Sequence, residues 1–268
     1  MEGDLLRVRK VKFFLMVLTL SFLVSCKHYD LNKSSNKSTL ATELNGLPRI
    51  EAVEVVLTKL IKESSFPRVD LKYSDLKIEA SNEEIPKAVE EIFNSLSQSV
   101  FGDQRPLKLK ACIGFECTSL GGAVADIDHM TIYIHVPTFS ERNDSTSFIL
   151  AHEFSHYLYE LAVSRYASSP NGQLSLIDEQ WQEGLDIEQQ LLRGGQAHAE
   201  VDLFALTLLK RNKISVKGAI PVLQNAKELM EIELRKLQTE LQRMTALPNP
   251  EEIRLNAVLD ALNSISRQ

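Results

Sequence analysis

An α+β domain, a small sheet followed by a helical body, is the fold class the sequence predicts. Two runs in the middle of the chain have strand character: LKLKACI (107–113) alternates, and MTIYIHV (130–136) is rich in β-branched and aromatic residues. The stretches around them place apolar residues at three- and four-residue intervals, the period of a helix buried on one face. After residue 136 only helical patterns follow. With 268 residues, 44% apolar and 25% charged, the chain has a globular composition and the length of one ordinary domain. Its net charge of −6 offers no basic surface, so nucleic acid is not an expected partner.

Residues 1–25 read as an export signal: MEGDLLRVRKVK is basic, FFLMVLTLSFLVS is apolar, and Cys26 follows. The apolar stretch falls short of the roughly twenty residues that a membrane-spanning helix needs. Leu23-Val24-Ser25-Cys26 resembles a bacterial lipobox, which implies acylation of Cys26 and a membrane-anchored lipoprotein of the cell envelope. Removing residues 1–25 takes four basic and two acidic side chains, leaving 26 Lys+Arg against 34 Asp+Glu, a formal charge of −8. In a Gram-negative cell, Lys27 after the acylated cysteine directs the protein to the periplasmic face of the outer membrane. Residues 26–45, rich in Ser, Asn and Lys, read as a flexible tether, and residues 46–268 as the domain.

Within that domain IEAVEVVLTKLIKE and NEEIPKAVEEIFNSLSQSV are the first two helices. The two strands follow, with Gly121-Gly122 as a flexible turn between them. Cys112 and Cys117 are the only thiols left after Cys26; in an exported protein their spacing suits a small-loop disulfide, with a reduced buried pair as the alternative. TSFILAHEFSHYLYELAVSRY is the next helix, EQWQEGLDIEQQLLR another, AHAEVDLFALTLLKRN a third. A long helix from about Val216 to Met244 and a last one after Pro248-Asn249-Pro250 complete the body. The long helix is charged on most faces, a pattern that fits packing on the domain, lidding a cleft or meeting a partner.

The chemistry lies in His152-Glu153-Phe154-Ser155-His156, an HExxH motif inside an apolar helix. Residues i and i+4 share one helix face, so both imidazoles can reach one metal ion. Zn²⁺, one per chain, suits this pair, and its catalytic sites take three protein ligands plus a water. Glu153 stands one residue round the helix, placed to act as general base toward that water as it attacks a carbonyl. A third ligand must come from elsewhere, because Tyr159 and Ala162 break the HExxHxxGxxH spacing. His198 and Asp202 are four apart on a later helix. There His198 can bind the metal while Asp202 accepts a hydrogen bond from a ligating histidine. Glu200, almost on the opposite face, is the alternative metal ligand.

These residues resemble the CAAX prenyl endopeptidase and HtpX-like family of zinc metallopeptidases, gluzincins, over about residues 105–265. MTIYIHVPTF is similar to the family's edge strand and following helix start, FILAHEFSHYL to its HExxH helix, and HAEVDLFALTLLKRNKISVKGAIPVL to its third-ligand helix. The resemblance implies a zincin-type fold and a membrane-anchored zinc endopeptidase (a hydrolase) acting on protein or peptide substrates in the envelope. Two positions depart from the family: His198 stands where its ligand glutamate is usual, and Val201 replaces a common alanine. In Leu247-Pro248-Asn249-Pro250-Glu251-Glu252-Ile253-Arg254 the family's histidine is missing and its arginine comes one place late. These departures motivate an alternative, a pseudo-peptidase serving as a binding or chaperone module. A helical adaptor without metal is a third reading.

Overall fold

The computed structural model describes residues 49–62, 78–113, 117, 122–126, 129–139, 143–166, 186–240 and 246–265; the signal segment, the tether and Cys26 lie outside them. Helix α1, Arg49–Lys62, buries Ala52, Val53, Val56, Leu57 and Leu60, one face at three- and four-residue spacing. Helix α2, Lys87–Phe101, likewise buries Val89, Ile92, Phe93 and Leu96. It starts later than the apolar period from Asn82 predicts. Pro86 stands extended before it at φ −57° and ψ 130°, and a proline disfavours helical backbone in the residue preceding it.

Four short strands form one sheet in the order β1-β2-β4-β3. β1 (Glu79–Ala80) runs antiparallel to β2 (Lys108–Ile113), and β2 runs parallel to β4 (Thr131–Ile134). β3 (Ala123–Asp126), antiparallel to β4, closes the sheet on the outside with Ala125 opposite Ile132. The segment 123–126, expected only as connection, is therefore a strand, and it takes the outer place that the family resemblance gives to MTIYIHV. β4 lies inside because all four of its residues are buried and need neighbours on both sides. Gly122 leads into β3 at φ +89°, where a Cβ would meet the Thr138 side chain at 2.8 Å. At the end of β2, Cys112 and Cys117 are joined by a disulfide, buried beside Val124 and Tyr133.

Helix α3, Asp144–Tyr166, crosses the core over β3 and carries the HExxH residues. Its first turn is closed by Asn143, whose Oδ1 accepts the Thr146 N–H at 2.7 Å. Leu150, Phe154, Tyr157, Leu158 and Leu161 are completely buried, and Phe93 and Phe101 pack on Phe154 at ring distances of 6.1 and 5.8 Å. Each such side chain contributes about 1.5–3 kcal/mol by leaving water. Rotating α3 to expose its histidines would forfeit several of these terms, so packing fixes the face that points inward.

Helix α4, Ile187–Arg211, is one continuous element where the sequence suggested two. Asp186 caps it, accepting the Gln189 N–H at 2.9 Å, and residues 179–185 of the expected earlier helix lie outside the described residues. Gly194-Gly195 does not break α4. Gly195 instead admits the next layer, because a Cβ there would lie 2.8 Å from the Pro250 backbone. Helix α5, Ala219–Glu240, and helix α6, Pro250–Ile265, complete the body, with α6 packed on α4 and α5. The molecule is thus mostly helical with a small mixed sheet, an α+β fold.

Candidate metal centre

Three of the six histidines in the chain meet between α3 and α4. His152 and His156, one turn apart on α3, bring their Nε2 atoms to 3.0 Å. Ring centroids are 4.6 Å apart for His152–His156, 5.2 Å for His156–His198 and 6.3 Å for His152–His198. Three imidazoles on one tetrahedral zinc, at Zn–N of about 2.0–2.1 Å, hold their Nε2 atoms about 3.3 Å and their centroids about 5.2 Å apart. The observed spacing brackets those values, so the donor set fits a metal after ring movements of about 1 Å. As it stands, no group of three or more His, Cys, Asp or Glu among the described residues is already arranged around a metal position.

Two of the rings are oriented through their other nitrogen. His152 Nδ1 lies 2.7 Å from Asp202 Oδ1, and His198 Nδ1 lies 3.0 Å from the Gly194 carbonyl oxygen. Donation of Nδ1–H to those oxygens leaves Nε2 as the basic nitrogen in each, the tautomer that metal binding needs. Burial holds all three imidazoles below their usual range. For His198, at about 3, the Arg254 charge adds to burial; for His156, well below the usual range, the neighbouring histidines add to it; for His152, Asp202 opposes it. The cluster is therefore neutral near pH 7, the form that accepts a cation.

Glu153 points to the sheet. Its Oε2 accepts the N–H of Ala125 at 3.0 Å, so the outer strand holds the carboxylate beside the two α3 imidazoles. Burial pushes this half-buried carboxyl up to about 8, against the pull of the Ala125 N–H and the Arg254 charge. A cation at the imidazoles would draw it back down. Glu200, the alternative ligand, is half-buried about 200° round α4 from His198, and it is His198 that meets the α3 rings.

Behind the histidines lies a charged corner that the sequence reading did not assemble. Arg254 on α6 grips Asp202 with Nε to Oδ2 at 2.6 Å and Nη2 to Oδ1 at 2.9 Å, while its Nη1 reaches Glu251 Oε2 at 2.8 Å. Asp202, Arg254 and Glu251 are 0%, 5% and 2% exposed. Burial alone would favour a neutral Asp202, but Arg254 and His152 outweigh it and hold this carboxyl well below its usual range. The two carboxylates in turn raise Arg254 further, against burial, so it stays charged. One sequence signal was available for this corner: Pro250 at a helix start followed by Glu251 and Arg254 at i, i+3. The arginine placed one position late against the family pattern is the residue that grips Asp202.

No protein-family model, curated protein or solved structure matches the chain, so the likeness to gluzincins stands on the residues themselves.

Proposed function

We propose that this protein is a zinc-dependent endopeptidase of zincin type, anchored in the cell envelope through a lipid on Cys26. The observation that carries the reading is the meeting of the HExxH pair with His198 while Glu153 is held against an outer strand. His152, His156 and His198 would hold the metal, whose contribution when bound is to polarise a carbonyl and to acidify water. The chain's own residues do the rest. Glu153 takes the proton of the attacking water at its carboxylate and returns it to the leaving amine. Asp202 keeps His152 in one tautomer and one orientation. An extended peptide adding to the outer edge of β3 would run past Glu153, the usual logic of recognition by strand addition. No helix among the described residues is long and apolar enough to cross a membrane.

The rival is a binding module that holds zinc without turnover, and it draws on His198 at the position of the family's ligand glutamate and on the histidine missing from residues 247–254. One experiment separates the two. The purified chain in detergent should carry about one zinc and hydrolyse casein, with chelator abolishing and added zinc restoring hydrolysis. Zinc without hydrolysis favours the binding module; neither zinc nor chelator-sensitive hydrolysis ends both metal readings.

A further inference from the structure

A chain of buried polar contacts runs outward from the imidazoles to α6. His152 Nδ1 meets Asp202 Oδ1, Arg254 grips both oxygens of Asp202, and Glu251 holds the guanidinium from its other side. Glu251 is 2% exposed, at 2.8 Å from Nη1. Enclosing an acid there is costly unless it is paired.

The backbone at the start of α6 is secured without that carboxylate. Asn249 Oδ1 accepts the Glu251 N–H at 3.0 Å, and Asn249 Nδ2 donates to the Lys227 carbonyl at 3.1 Å. Pro250 presses into the space left by Gly195. Pinning the helix therefore does not explain why position 251 carries a buried acid. Among the described residues its hydrogen-bonded side-chain partner is the guanidinium that grips Asp202, and Asp202 grips His152.

We propose that Glu251 is a positioning residue of the metal centre: its carboxylate holds Arg254 square to Asp202, and so Asp202 square to His152. The proposal rests on the metal reading above. It assigns zinc affinity to a residue that touches no ligand.

The test is zinc affinity, measured by chelator competition on the full chain in detergent, for the parent, Glu251→Gln and Glu251→Asp. Glutamine keeps the shape and an acceptor for Nη1 without the charge, while aspartate keeps the charge on a shorter arm. Glu251→Gln should bind zinc about 10–100-fold more weakly than the parent, the usual cost of losing an outer partner of a ligand. Glu251→Asp should fall between the two. Each variant's zinc-induced rise in Tm, taken against its own metal-free form, reads the same order even where folding is weakened. Equal affinity of Glu251→Gln and parent, or an aspartate variant weaker than the glutamine one, overturns the proposal while leaving the metal site intact. A parent that takes up no zinc overturns the metal reading itself.

Discussion

On α3 the two histidines and Glu153 come from five consecutive residues, and helical spacing alone gathers them. On the α4–α6 side the contacts of Asp202 join distant positions: it meets His152 across 50 residues and Arg254 across 52. The α3 side is therefore chemistry laid on a helix that the core already holds. The α4–α6 side is a buried ionic arrangement that exists only once the whole body has closed. The difference teaches where substitutions should speak: reactivity on α3, folding and metal affinity in the charged corner.

The sharpest way to break that contrast is Glu153→Gln. It should lower peptide hydrolysis by about 10²–10⁴-fold, the usual share of a general base, while zinc content and Tm stay near the parent's. A Glu153→Gln protein as active as the parent would remove Glu153 from the mechanism. Arg254→Met should do the reverse and act on stability first. It strands Asp202 and Glu251 as uncompensated buried charges, a loss of about 3–5 kcal/mol in denaturant unfolding; a change below about 1 kcal/mol would mean that the corner is wetter than it stands here. Asp202→Asn should weaken zinc binding about 10–100-fold by chelator competition, because His152 loses the carboxylate that orients it. Unaltered affinity would detach Asp202 from the site. The smallest effects belong to the helix starts. Asn143→Ala and Asp186→Ala each delete one cap and should cost about 1 kcal/mol, with zinc affinity unchanged in both. A cap variant that lost zinc would show the two sides to be coupled more tightly than their contacts imply.

The same contrast explains what could be read from the sequence. The HExxH spacing, the apolar setting of its helix and the i, i+4 relation of His198 to Asp202 are local regularities, and each is visible in a few residues. The helical body, β2 and β4 are legible for the same reason. β3 escaped because its four residues contain a single β-branched side chain, Val124, and no alternation; only pairing with β4 makes it a strand. α4 appeared divided because a Gly-Gly pair usually interrupts a helix, whereas here Gly195 serves the approach of Pro250. Ala125 as the partner of Glu153 leaves no local signature, because it is a backbone N–H on a distant strand. The i, i+3 spacing of Glu251 and Arg254 is local, but nothing near it marks the pair as buried against Asp202.

The place of Arg254 in α6, the last described helix, gives its grip on Asp202 a further consequence. The sheet, α3 and α4 all precede α6 in the chain, so truncation could separate the imidazoles from their guanidinium support. Without α6, Asp202 would keep His152 and lose its permanent counter-charge. A carboxylate left in that state is costly to enclose. A chain cut before residue 250 would therefore carry the HExxH signature without the lock behind it.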